Sequence, residues 1–174
     1  PVSELKLRAS YGVTGNFNIG NFQYLGTVSS VAYSPNNQTV NGIAQTSIEN
    51  ALLSWEKTKG IDFGFDLGLF NNRVNLSADY YDNRTTDMLY SVNTPAITGF
   101  TSTITNAGEV RNHGIDIELE TKNIVGDFQW NTSFNLSRNR NEVVDLAGVD
   151  QRINVHNTWA MNWMLRPGEP MFSY

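Results

Sequence analysis

The chain has 174 residues and a formal net charge of -5; 40% of residues are hydrophobic, 17% are charged, and there is no Cys and only 2 His. Lys+Arg 12 against Asp+Glu 17 leaves no basic excess for phosphate backbones, and no thiol chemistry is present, so nucleic-acid binding, disulfide frameworks and Cys-based metal or nucleophilic sites are excluded. No apolar run approaches the roughly 20 residues of a spanning helix, but a membrane barrel stays open because its strands alternate and keep average hydropathy low.

Leu5-Lys6-Leu7-Arg8-Ala9-Ser10-Tyr11-Gly12-Val13 alternates apolar with polar or small residues, the period-two pattern of a strand with two unlike faces. From Thr14 to about Ser54 the pattern lapses into Gly, Asn, Ser, Thr and Gln, which predicts a long loop with at most short structure inside it. The second strand is the clearest, with Ile61, Phe63, Phe65, Leu67 and Leu69 on one face and Asp62, Gly64, Asp66 and Gly68 on the other. Phe70-Asn71-Asn72-Arg73 predicts a tight turn, because Asn tolerates the left-handed backbone of short hairpins.

A third strand places Val74, Leu76, Ala78 and Tyr80 opposite Asn75, Ser77, Asp79 and Tyr81. A second long loop runs from about Arg84 to Thr105. The fourth strand carries Ile115, Ile117, Leu119 and Thr121 against Asp116, Glu118, Glu120 and Lys122; a short turn then leads to a fifth, with Phe128, Trp130, Thr132, Phe134 and Leu136 on one face. Alternation fades after Asn139, and the tail to Tyr174 reads as a third long connection.

Loop lengths therefore run long, short, long, short, long. Successive antiparallel strands send alternate connections to opposite ends, so every long loop falls at one end and every short turn at the other. Outer-membrane barrels sort their loops in this way. Ile61 to Leu69 reaches roughly 26 Å along the strand, or roughly 19 Å in height at a tilt of about 45°, and one further residue pair at either end brings it near the ~25 Å apolar band. The fold class expected is all-β, an antiparallel up-and-down transmembrane barrel segment of about five strands.

Beyond the apolar stretch, the same parity brings Lys59 and Lys57 in the second strand, Asp82 and Arg84 in the third, His113 and Arg111 in the fourth, and Arg138 and Arg140 in the fifth. Lys57, Lys59, Arg84, Arg111, Arg138 and Arg140 are candidates for a belt at the lipid headgroups, with their stems on apolar surface; polar strand ends are the plainer reading. The loop aromatics Phe17, Phe22, Tyr24, Tyr33, Phe100, Trp159 and Trp163 are candidates for contact with sugars or a partner protein, or for packing within their own loops. No Ser-His-Asp neighbourhood, phosphate-binding Gly loop or His-x-x-x-His spacing occurs, so neither catalysis nor a cofactor is expected.

The segment Asn106-Ala107-Gly108-Glu109-Val110-Arg111-Asn112-His113-Gly114-Ile115-Asp116-Ile117-Glu118-Leu119 resembles the Asn-x-Gly…Gly-hydrophobic-acid-x-Glu strand motif of TonB-dependent outer-membrane receptors, and more specifically the SusC/RagA branch. Supporting pieces follow in order: Leu5 to Asn16, Trp55-Glu56-Lys57-Thr58, Phe70 to Asn75, Asp79-Tyr80-Tyr81, Thr86 to Tyr90, and Ser133 to Asn139. Arg166-Pro167-Gly168-Glu169-Pro170 is similar to that branch's Gly-x-Pro segment after a barrel strand. The resemblance implies an importer of glycans or peptides whose barrel is closed by a plug. It further implies a SusD-like surface lipoprotein as lid and energy delivered by TonB through the plug.

Such plugged barrels have about 22 strands, so five strands are expected to be an internal piece, 1–174 lying within the barrel domain, with signal sequence, plug and remaining strands elsewhere. An open five-stranded sheet would leave backbone edges unpaired in hydrocarbon. Two other classes remain open: a soluble carbohydrate-binding β-sandwich, in which Ile61 to Leu69 would face a second sheet, and an outer-membrane barrel enzyme.

Overall fold

The computed structural model describes residues 2–147, 151–153 and 163–171. In chain order the strands are β1 (Val2–Asn16), the hairpin β2 (Val28–Tyr33) and β3 (Val40–Gln45), β4 (Glu56–Leu69), β5 (Val74–Thr86), the hairpin β6 (Leu89–Asn93) and β7 (Ser102–Asn106), β8 (Glu109–Ile124), β9 (Trp130–Asp145), and the short pair β10 (Gln151–Ile153) and β11 (Trp163–Leu165). Five of them form one antiparallel sheet in the order β1-β4-β5-β8-β9.

Short turns do gather at one end and long connections at the other. In the β4–β5 turn, Phe70, Asn71 and Asn72 all have positive φ, at 52°, 58° and 58°. Asn accepts this backbone with little strain, whereas Phe70 does not. The guanidinium of Arg73 donates to the carbonyls of Lys122 and Asn123 in the neighbouring turn, at 3.2 and 2.9 Å, and so ties the two short turns together.

Two expectations about the connections need correcting. The first long loop holds the exposed hairpin β2–β3, within the short structure expected there, but the second, expected as plain loop, holds the half-buried hairpin β6–β7. The fifth strand does not end near Asn139; β9 pairs with β8 as far as Asp145. What stops at Leu136 is the polarity pattern, because the outward positions beyond it are Arg138, Arg140 and Glu142 while the backbone stays extended.

The register carries each apolar position onto its neighbours. Leu5, Leu67, Leu76, Leu119 and Phe134 form one cross-strand row, and Leu7, Phe65, Ala78, Ile117 and Leu136 the next. Among the described residues no second sheet packs on this face: Leu7 is 77% exposed, Phe63 56% and Leu136 53%. A soluble sandwich would bury these rows, so the structure overturns that alternative. No described helix is long and apolar enough to cross a membrane, which has no bearing on crossing by strands.

The buried core is small and lies at the long-loop end. Val110, Val143 and Leu165 form it, with Met88, Tyr90, Leu146 and Met171 packed against them. Burial there pushes the Tyr90 phenol above its ordinary pKa. The tail segment is stitched to β9: Val143 N–H donates to Glu169 O at 2.9 Å, and Gly168 N–H donates to Val143 O at 2.8 Å.

Candidate functional site

The sheet has two chemically unlike faces, and the expected site residues that are described lie on one of them or in the connections above. Lys59, Arg84 and Arg111 share one cross-strand row on the apolar side, above Ile61, Asp82 and His113. Arg140 pairs with His113, and Arg138 with Ile115, so both keep the same outward parity. Three of the six cations are neutralised: Arg111 holds Asp82 (Nε to Oδ1, 2.9 Å), Arg84 holds Glu109 at 3.1 Å, and Lys57 holds Asp87 at 3.2 Å. Among the described residues no carboxylate forms an ion pair with Lys59, Arg138 or Arg140.

The opposite face is polar and predominantly acidic. Arg8 donates to Asp79 at 2.8 Å and Ser77 at 3.2 Å and pairs with Asp66 at 3.1 Å, while Ser77 donates to Asp66 at 2.8 Å. Asp116, Glu118 and Glu120 continue the acidic character along β8, with Asp116 accepting from Ser137. Glycines make room for this layer. A Cβ on Gly64 would run into the Asp79 carboxylate, one on Gly60 would stand 2.6 Å from Asn83 Oδ1, and one on Gly114 would meet the Tyr81 hydroxyl at 2.5 Å. The period-two pattern showed small residues there without indicating that they are small because longer neighbours lie across them.

At the long-loop end, motif pieces far apart in the chain converge. The Asn106 side chain accepts from Ser54 N–H at 2.7 Å and donates to Ser54 O at 2.7 Å and Asp87 O at 2.8 Å. Glu56 accepts from Leu89 N–H at 2.9 Å and from the Asn16 amide at 3.0 Å. Gly108 adopts φ +95°, and a Cβ there would also press on Asp145 O at 3.3 Å. These residues clamp the ends of both long connections to the sheet. Asn106, Glu56 and Asp87 stand within the family motifs, but their roles are not legible in the sequence, since hydrogen bonds across 52 and 33 residues leave no periodic trace.

Asn106→Ala leaves the Ser54 and Asp87 groups without these partners, at a cost of about 1–3 kcal/mol for polar groups left unsatisfied. The expected result is faster amide hydrogen exchange confined to residues 46–55 and 87–108, with the interiors of β4 and β5 unchanged. Unchanged exchange in both connections would remove the clamp from the account.

The loop aromatics divide. Phe17, Phe22 and Tyr24 line one open hollow of about 780 Å³ together with Trp55 and Lys57. Phe17 stacks at a tilt on Trp55, with centroids 6.5 Å apart, and the Trp55 ring lies 3.6 Å from where a Cβ on Gly15 would stand, which places the pair on the outward side. Tyr33 belongs instead to β2, beside Gly42, and Phe100 sits near the tip of the β6–β7 hairpin, its carbonyl accepting from the Thr94 hydroxyl at 2.6 Å. Trp159 and His156 lie outside the described residues; of Trp163 only the backbone pairing with Ile153 is described.

A profile of the TonB dependent receptor-like β-barrel family matches residues 1–166. The chain belongs to this family. It is 40% identical over 178 residues to TonB-dependent receptor P3 of Formosa agariphila, a match covering 99% of this chain and 18% of the relative. To TonB-dependent receptor SusC of Bacteroides thetaiotaomicron it is 37% identical over 155 residues, covering 86% of this chain and 16% of that protein. The solved structure of the RagAB peptide transporter superposes with a TM-score of 0.77 at 32% identity, over 98% of this chain and 18% of that one.

The chain thus spans less than a fifth of the length of these relatives. TonB-dependent receptors are outer-membrane barrels, so the setting of this sheet is the outer membrane. Its apolar rows then face lipid, its acidic rows face the barrel interior, and its long connections lie on the extracellular side.

Proposed function

We propose that this sheet is part of the wall of an active transporter that imports glycans or peptides through the outer membrane. A SusD-like surface lipoprotein serves as its lid, and TonB supplies energy through a plug domain seated in the barrel. The observation that carries the reading is the combination, in one antiparallel sheet whose register shifts only near strand ends, of an uncovered apolar face with a polar, charged interior face. Similarity to SusC and to the RagAB peptide transporter supports it.

Within this reading Phe22, Tyr24, Tyr33 and Phe100, with Phe17, Trp159 and Trp163, are the residues offered for substrate or lid contact. Aromatic faces suit both, because they stack on sugar rings and bury area against protein at small entropic cost. An in-frame deletion of the full-length gene should abolish uptake of the labelled oligosaccharide or peptide that the organism takes up through this system, and the intact gene should restore it. Phe22→Ala with Tyr24→Ala should lower uptake several-fold while the barrel still folds. Undiminished uptake in the deletion strain would refute the transport reading.

A further inference from the structure

The boundary between apolar and polar outward positions crosses the sheet on a diagonal. On the long-loop side the last apolar outward residue is Val13 on β1, Ile61 on β4, Tyr80 on β5, Ile115 on β8 and Leu136 on β9. The register pairs Val13 with Lys59, Ile61 with Asp82, Tyr80 with Ile115, and Ile115 with Arg138. The boundary therefore falls by about six residues over four strand steps. With about 3.3 Å per residue and about 4.8 Å between strands, that slope corresponds to a strand tilt of about 45°, the value at which barrel strands cross a bilayer. The lower edge follows it, since Trp130 extends the outward positions of β9 beyond Thr132, which shares a row with Val74.

Measured from this tilted boundary, the second outward position is cationic on four consecutive strands: Lys57, Arg84, Arg111 and Arg140. The first three have carboxylate partners. On β9 the first and second positions are both arginine, both are exposed, and among the described residues neither has an acidic partner. Directly below them on the same face lie Leu136 and Phe134, 53% and 55% exposed, with Ile115 and Ile117 alongside on β8.

We propose that Arg138 and Arg140 form a binding site for the phosphate of an outer-leaflet lipid whose acyl chains lie on Leu136, Phe134 and Ile117. Charge complementarity and continuity with the apolar face single out this occupant. Two guanidinium forks on one side of a strand match the oxygens of a phosphate, and their stems bridge from hydrocarbon to headgroup. The ion pairs on β4, β5 and β8 leave the second outward positions there neutral overall; of the outward cations without an acidic partner among the described residues, Lys59 stands alone on β4 and only β9 places two together.

The inference rests on the outer-membrane setting and not on import, so lipid binding and uptake can fail independently. The test uses the purified full-length protein in nanodiscs of phosphatidylcholine doped with phosphatidic acid, with retained lipids read by native mass spectrometry. The unaltered protein should retain phosphatidic acid over phosphatidylcholine by about tenfold or more, given about fivefold for each cation near an anionic headgroup. R138Q/R140Q should abolish that preference, R138K/R140K should keep part of it, and K6Q on the interior face should keep all of it. Millimolar inorganic phosphate should leave the retained lipid in place. Equal retention of the two lipids by the unaltered protein, an undiminished preference in R138Q/R140Q, or displacement by inorganic phosphate would overturn the proposal.

Discussion

Arginine in place of Phe65 should destabilise the full-length barrel by about 2–4 kcal/mol, the cost of a cation on the lipid face near the bilayer midplane. Phe65 stands in the middle of the outward run from Ile61 to Leu69, in the row shared by Leu7, Ala78, Ile117 and Leu136. Its guanidinium would have hydrocarbon on all sides and no carboxylate in its row. The same substitution at Ile61, at the boundary, should cost only about 0–1 kcal/mol, and Asn135→Arg on the wet interior face should cost little. Unfolding titrations of the three variants in lipid vesicles check the gradient. Equal penalties at positions 61 and 65 would contradict the depth assignment.

Gly114→Ala should also be strongly destabilising, for a different reason. The added methyl would stand 2.5 Å from the backbone carbonyl of Arg138 and 2.5 Å from the Tyr81 hydroxyl. The ladder cannot yield without shifting β9, and the displaced Tyr81 would lose its hydrogen bond to Asn139, which is 3.1 Å long. Overpacking of this kind costs about 1–3 kcal/mol. Gly12→Ala provides the contrast, because nothing lies within 4 Å of the new carbon, and it should be neutral or mildly stabilising. Unfolding midpoints of the two variants should therefore move apart; a matched pair would show that the Tyr81 ring does not hold the position observed.

What the sequence made legible was whatever the bilayer makes periodic. Ile61 to Leu69 alternates because one face must meet lipid and the other water, and the observed register keeps that alternation in line across all five strands. The pattern marked the part of each strand in lipid and not the strand itself. From Ser137 to Glu142 both faces of β9 are polar, and Val143 and Val144 are adjacent and do not alternate, so the strand continues to Asp145 without a period-two signal. Val28–Tyr33 with Val40–Gln45 was legible only as short structure within a long loop, and Leu89–Asn93 with Ser102–Asn106 left no signal, for a related reason. They are rich in Ser, Thr and Asn, and their strands of five or six residues are too short for a sustained alternation.

The candidate site divided along the same line. Parity alone put the six basic residues on the apolar side, where the register places them. It could not show that Asp82, Glu109 and Asp87 neutralise three of them, since each of those partners sits on another strand or in a connection. Likewise Phe17, Phe22 and Tyr24 read as scattered loop aromatics, and only the fold brings them to one hollow with Trp55. The clamp at Asn106 was visible as a motif and invisible as a mechanism.

In the barrel wall, odd-numbered positions from Ile61 to Leu69 face hydrocarbon while the even-numbered ones between them face water. Single cysteines at positions 61 to 69, introduced into a full-length protein from which any other Cys has been removed, can each carry a spin label after reconstitution in liposomes; these 174 residues contribute no Cys of their own. Relaxation by membrane-dissolved oxygen should peak at 61, 63, 65, 67 and 69, with the deepest value at 65, and relaxation by a water-soluble nickel chelate should peak at 62, 64, 66 and 68. An oxygen profile that is flat, or in which neither face gains from lipid, would contradict the barrel-wall assignment.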